Sequence, residues 1–378
     1  MRQAVLAAVC VLALSAGRVQ QGAPAPAAST QEPHARPATD RAVLAVMRRD
    51  GLLVPFAAYK GSRWTAPWPV RARNLEIPIT MEAIPEGWWG GEVPDGWQLH
   101  LPDGATRPIA PTRPRLYRAF CDMRIGLVTD YHSTEPLPMP PTDPYPKDGL
   151  VSSTNLDLVP IESVDRTARE VGQLAQTLIP DFDKAEEKTL KLIRKRDGWS
   201  HPASPATRKA TPVTIEAWYR AAMDEPGWIA SYIEAVRAYP PGPKDEGCGL
   251  QTVFTGWMHA NVDDPKKTRT QLTARVTYCD RRGVKYMLPF GRFHIGPQQY
   301  WVYQFSGFDQ EWYEVARMTP LKMGFVVEAY GGGREGCGFP EGPLQMSRRD
   351  PWSGIRDPQK PHDVFAGLGR NGILIPDP

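Results

Sequence analysis

The sequence predicts an α+β fold: a small all-β unit near the N-terminus, helices in the middle, and an antiparallel β meander or sandwich-like sheet in the last third. Three observations predict it. Forty prolines and 33 glycines in 378 residues, with 41% hydrophobic content, call for many turns and irregular connections rather than a helical bundle. Gln271 to Cys279 alternates, with Leu272, Ala274, Val276 and Tyr278 on one face and Gln271, Thr273, Arg275 and Thr277 on the other, the period of a half-buried strand. Val164, Ala168, Val171, Leu174, Ala175 and Leu178 recur at three- and four-residue steps, the period of an amphipathic helix.

The elements follow in order. Met1, Arg2 and Gln3 form a short basic start, and Ala4 to Ala16 is an uncharged apolar run that ends at Gly17 and Arg18. That run has the length of a signal-peptide core and falls short of the roughly 20 apolar residues a membrane span needs. Residues 1–25 are therefore expected to be a cleaved signal peptide, with small residues for the peptidase at Ala13, Ser15, Ala23 and Ala25. Cys10 raises a lipidated alternative, but Val9 stands where a small residue is required. Residues 26–40, rich in alanine, proline and polar side chains, read as a disordered tether.

Residues 41–134 carry the all-β pattern: two apolar runs meet at Asp50-Gly51, two more flank Asp103-Gly104, and Ile125 to Tyr131 adds another strand. Residues 135–147 hold six prolines between Pro136 and Pro146 and are expected to be a stiff linker and domain boundary. Residues 148–345 make the α+β domain. Its helices, placed within 160–239, are Val164 to Leu178 with Ser163 as cap and Pro180 as stop, Asp183 to Ile193, and Thr214 to Tyr239 with a break near Pro226-Gly227. Its antiparallel sheet, within 248–330, takes the runs Leu250–Met258, Gln271–Cys279, Gly283–Pro289, Gln299–Phe305, Glu311–Met318 and Met323–Tyr330. Residues 346–378 are expected to be irregular.

Export changes how the cysteines are read. Without Cys10 there remain Cys121, Cys248, Cys279 and Cys337, enough for two disulfides in three connectivities among which spacing does not choose. In an oxidising compartment they are expected to pair. None lies in a C-x-x-C and no histidine stands at ligand spacing, so no metal and no cofactor are expected. Forty-five basic against 42 acidic residues leave no concentrated basic surface, which argues against a nucleic-acid partner.

Motifs for chemistry are few. Gly331 to Gly336 fits G-x-G-x-x-G after a strand, but Gly338, Pro340, Gly342 and Pro343 forbid the helix that would hold a pyrophosphate. Asp309, Glu311 and Glu314 cluster beside Trp312 and Tyr313, as the paired carboxylates of a glycosidase do. Asp130 and His132 flank Tyr131 and offer a ligand or base pair. Aromatic residues are the other signal. Trp301, Tyr303 and Phe305 share a strand face that is either core or a stacking platform, and Trp88-Trp89 is hard to bury in a small domain, which makes it a candidate contact surface.

Two expectations result. One is a non-catalytic exported protein, periplasmic or extracellular, with no membrane span after signal cleavage, that binds an envelope component, glycan or protein through aromatic β surface at Trp88, Trp89, Trp301 and Tyr303. The other is a hydrolase acting on glycan or another envelope polymer, with Asp309, Glu311 and Glu314 as its acid/base set. The placement of those carboxylates and the burial of Trp301 and Trp312 discriminate between them.

Overall fold

A computed structural model describes residues 40–69, 80–241 and 249–334. The expected signal peptide, the tether up to residue 39, the segment 346–378, and Cys10, Cys248 and Cys337 lie outside the described residues. The described residues are mostly β, 50% strand and 15% helix, in three sheets. This corrects the α+β expectation with its central helices.

Sheet A is built from β1 (Arg41–Arg48), β2 (Leu52–Lys60), β3 (Arg63–Thr65), β4 (Trp97–His100), β5 (Thr106–Ile109), β6 (Pro111–Ala119), β7 (Asp122–Thr129) and β8 (Lys147–Ser152). Their order is β5-β4-β8-β1-β2-β7-β6, with β3 beside β2. The Asp50-Gly51 turn forms as expected: Gly51 has φ +75°, and a side chain there would strike the Tyr131 carbonyl at 2.7 Å. Strands β1 and β2 lack clean alternation because both faces are covered. β8 pairs with both β1 and β4. The proline-rich segment is therefore not a domain boundary, since the chain on its far side completes the sheet begun at Arg41.

Sheet C comprises β9 (Glu162–Ser163), β10 (Thr214–Ala222), β11 (Trp228–Ala238), β12 (Leu250–Asn261) and β13 (Arg269–Tyr278), in the order β13-β12-β11-β10-β9. Between β9 and β10 run α1 (Arg169–Thr177), α2 (Ile179–Asp197) and α3 (Pro205–Ala210). α1 closes at its C-cap Leu178 as expected but starts at Arg169 with Ala168, not Ser163, at its N-cap, and Pro180 opens the next helix rather than closing the chain's helical run. It sits in the first turn of α2, where its missing N–H is no loss. α2 ends at Gly198, whose φ of 68° closes the last turn. The expected third helix, Thr214–Tyr239, is instead the hairpin β10–β11 turning at Gly227 (φ +76°). Its Trp, Tyr, Ile and Val residues favour strands, and an inner strand buried on both faces shows no period of two that would betray it.

Sheet B is the meander β14 (Lys285–Ile295), β15 (Gln298–Gly307), β16 (Gln310–Thr319) and β17 (Lys322–Gly333). It lies between the other two. Phe293, Tyr300, Val302, Tyr313 and Val315 pack against Leu44, Val46, Val54, Phe56 and Tyr117 of sheet A. From its opposite face Trp301, Tyr303, Phe305, Trp312 and Met318 pack against Ala230, Tyr232 and Trp257 of sheet C. The outer face of sheet C is covered by Val171, Ala175, Phe182 and Ala185 of α1 and α2. On the outer face of sheet A, Trp68, Ile84, Trp89 and Trp97 close the stack.

Candidate functional site

The three carboxylates singled out in the sequence do not converge. Successive residues of a strand point to opposite faces, so Glu311 and Glu314 of β16 leave the sheet in opposite directions. Glu311 faces sheet A, where Lys147 Nζ approaches its Oε2 at 2.5 Å and the Tyr313 hydroxyl donates to its Oε1 at 3.0 Å. Glu314 faces sheet C and accepts from Trp312 Nε1 at 2.5 Å. Asp309 stands exposed in the turn before β16, its carbonyl taking the Arg334 N–H at 2.8 Å. No cleft holds two of them, and Trp301 and Trp312 are 0% and 6% exposed, core residues rather than the lining of a sugar site.

The aromatic candidates are likewise drawn inward. Tyr303 and Trp89 are 0% exposed and Trp88 is half-buried. The 3₁₀ turn Glu86–Trp89 lays both tryptophans on Trp68, with ring centroids 5.3 and 5.0 Å away, and Trp89 also meets Trp97 at 5.9 Å. Trp88-Trp89 is hard to bury in a small sheet only if that sheet has one covered face; here the pair is the cover. The same burial corrects the contact-surface expectation for Trp301 and Tyr303.

Asp130 and His132 are exposed on the strand exit after β7, and Asp130 Oδ1 accepts the Ala110 N–H at 2.9 Å. Among the described residues no group of three His, Cys, Asp or Glu is placed to hold a metal. His100 is buried against the Ser152 hydroxyl at 2.8 Å, and desolvation lowers its pKa. Cys121 and Cys279 are both disulfide-bonded.

A groove that the sequence does not advertise lies at the β9 edge of sheet C. Strand β9 pairs with β10 only at Ser163↔Tyr219 and Glu162↔Arg220, and after Val164 donates to the Trp218 carbonyl at 2.9 Å the chain peels away toward α1. Ser163, Asp165 and Arg166 form one arm of the resulting fork and Glu216, Ala217 and Tyr219 the other, around about 430 Å³ of open space. Glu216 is the extra residue of a bulge between Ile215 and Ala217. The bulge frees its carboxylate to take both arms of the Arg281 guanidinium, Nη1 to Oε2 and Nη2 to Oε1 at 2.7 Å each. Asp165 is occupied by the Thr167 N–H and hydroxyl, each at 2.8 Å, which hold its pKa down.

Behind the groove, Glu234 pairs in register with Ala217. Burial pushes its carboxyl up to about 7, against the Met287 N–H bond that favours the charged form and with help from the nearby Glu216 charge. Burial and the Glu234 charge push the Tyr219 phenol up to about 12. Tyr219 therefore stays neutral, and the groove offers hydroxyls, a phenol and a partly neutralised set of charges: hydrogen-bonding chemistry, without a nucleophile set against a base. Sequence reasoning misses these residues because the Glu216–Arg281 pair joins positions far apart in the chain, and the bulge that presents Glu216 has no motif.

Among the described residues no helix is long and apolar enough to cross a membrane. Compared with protein-family models, curated proteins and solved structures, the chain matches none.

Proposed function

We propose that this chain is a non-catalytic exported protein, periplasmic or extracellular, that binds an envelope component or another protein at the fork between β9 and β10. One observation carries the reading: the aromatic residues and paired carboxylates that would make a sugar platform or an acid/base site are consumed by the three-sheet core, whereas the fork is open and polar. Export is supported by the uncharged apolar run at residues 4–16 and by the disulfide-bonded state of Cys121 and Cys279, which suits an oxidising compartment. Glu311 and Glu314, on opposite faces of β16, give a hydrolase no acid/base pair.

The test uses the full chain in its native cell. A photoreactive phenylalanine analogue is placed at Ala217 in the fork, or at Leu192 on the exposed side of α2 as control. Crosslinked adducts from position 217 and not 192, in a cell fraction outside the cytosol and on a chain lacking its first residues by N-terminal sequencing, are expected. Adducts from neither position, or an intact N-terminus in the cytosol, would overturn the proposal.

A further inference from the structure

The acids buried among the described residues are held in different ways, Asp122 by the Tyr330 hydroxyl at 2.9 Å and the Gly333 N–H at 3.2 Å. Glu186 on α2 takes Arg237 Nη1 at 2.7 Å, Asp148 takes Arg49 Nε at 3.2 Å, and Glu311 takes Lys147 Nζ at 2.5 Å. Glu234 and Glu314 are equally hidden, each 4% exposed, yet neither makes an ion pair with a described residue. Both project into the layer between sheets B and C. Glu234 Oε1 accepts the Met287 N–H at 2.6 Å, a bond from sheet C to the backbone of sheet B. Glu314 Oε1 accepts from Trp312, and its Oε2 is buried without a cation, near the Tyr303 phenol.

We propose that the contact between sheets B and C is a pH-responsive seam, held shut when Glu234 and Glu314 are protonated and loosened when they ionise. The geometry supplies the reason. An ionised carboxylate in an apolar layer loses its hydration and needs a directly paired cation in return, and among the described residues neither acid makes such a pair. The layer is aromatic: Tyr232, Trp257, Trp301, Tyr303, Phe305 and Trp312 pack there with ring centroids 5.1 to 5.7 Å apart.

The groups that face each acid set the balance. Around Glu234 stand Glu216 and Tyr219 of β10, Tyr232 of β11, Tyr286 of β14 and Arg281 of the turn before it. Around Glu314 stand Tyr303 of β15, Trp312 of β16, Glu328 of β17, Lys285 of β14 and Tyr232 of β11. Glu328 is the register partner of Glu314, and like charges directly across a ladder repel. Arg281 and Lys285 favour the charged forms only weakly, and burial dominates, raising both carboxyls from 4.5 to about 7.

The direction follows. A carboxyl raised in the folded state stabilises fully below its unfolded value of 4.5, and that stability is lost as pH rises through the folded value near 7. The buried histidines His100, His201 and His259 act oppositely. Desolvation lowers their pKa, so they lose stability as pH falls. The difference between the native chain and a variant lacking the two acids therefore isolates the seam.

The experiment measures thermal midpoints of the full chain from about pH 5 to about pH 8.5, together with those of Glu234→Gln, Glu314→Gln and the double variant. The double variant is expected to gain on the native chain as pH rises, by about 5 °C or more at the alkaline end, with each single variant giving a fraction of the gain. The native chain is also expected to show an infrared carbonyl band of protonated carboxyl that fades through neutrality and is reduced in either single variant. That band keeps the test decisive should the double variant not fold. A midpoint difference that does not vary with pH, or a band unchanged by both substitutions, overturns the proposal.

Discussion

The two faces of sheet B meet their neighbours by different physics. Toward sheet A, Lys147 pairs with Glu311, Asp122 accepts from the Tyr330 hydroxyl at 2.9 Å, and the Arg48 guanidinium bonds Asp50 at 3.0 Å and lies 4.6 and 4.1 Å from the ring centres of Tyr117 and Tyr145. Toward sheet C the layer is nearly all aromatic, and its two acids lack counter-ions. A paired charge fixes how two sheets sit on one another because it tolerates one geometry, whereas an aromatic layer with lone carboxyls adheres by area and is tuned by protons. One strand, β16, belongs to both regimes, carrying Glu311 on one face and Glu314 on the other.

The largest expected effect comes from breaking the paired face. Lys147→Met leaves Glu311 buried without its cation and should cost about 3–5 kcal/mol. Replacing both residues, Lys147→Met with Glu311→Leu, should recover most of that loss, since an apolar pair of similar volume avoids the desolvation of both ions. Urea titration of the three variants measures the coupling. If the double variant is as unstable as the single one, the pair is not an isolated unit, and the Tyr313 hydroxyl and Gln304 amide bound to Glu311 belong to it.

On the aromatic face, Trp301→Ala removes a fully buried ring that touches Trp257 at 5.3 Å. The expected loss is about 3–5 kcal/mol, against about 1–2 kcal/mol for Val302→Ala one residue along on the paired face. Near-equal losses would show that the two layers contribute alike and that the contrast lies in their charges alone.

A covalent difference should follow the same division. The Cys121 N–H, at the β6–β7 turn of sheet A, donates to the Gly333 carbonyl at the end of β17 at 3.1 Å, and Cys337 comes four residues later in the sequence. Tyr278 pairs with Leu250, two residues after Cys248, and Cys279 follows it. Mass mapping of the unreduced chain is expected to join Cys121 to Cys337 and Cys248 to Cys279. The first link would then staple sheet A to sheet B, and reduction should lower stability by roughly 3–5 kcal/mol in the loop-entropy account. A Cys121–Cys248 peptide would break the correspondence.

The legible regions of this fold are those with a local cause. The alternation of Gln271 to Cys279 falls on β13, half-exposed at the rim of sheet C as far as the described residues go, and the turns at Gly51 and Gly104 carry the positive φ that Asp-Gly implies. What is not legible arises from layering. In β11, β15 and β16 both faces are covered, so hydrophobic residues lose their period of two, and β10 joins them through its bulge at Glu216. The hairpin from Thr214 to Ala238 then resembles a helix by spacing, and Trp301, Trp312 and Trp89 resemble surface because nothing local tells how many layers enclose them. Glu311 and Glu314 stand out in the sequence as acids among aromatics, but the strand pleat that separates them only matters once sheets A and C are both in place. The fork at β10 depends on where β9 stops, a tertiary event with no sequence signal.

The smallest expected effect concerns the fork itself. Arg281 and Glu216 make a bidentate ion pair near it, with Arg281 held at a φ of 52° in the turn between β13 and β14. Shape alone would suggest a strong contribution, but the side chains are 28% and 24% exposed, and water screens such a pair. Arg281→Ala should therefore cost only about 1 kcal/mol, and high salt should erase much of it, whereas the loss in Lys147→Met should barely respond to salt. Arg281 also bonds the Tyr286 hydroxyl at 3.1 Å and Gln251 Oε1 at 3.1 Å. A loss near 3 kcal/mol that salt leaves unchanged would mean that these neutral bonds, and not the ion pair, hold the arm of the fork; the groove would then be as rigidly built as the paired face between sheets A and B.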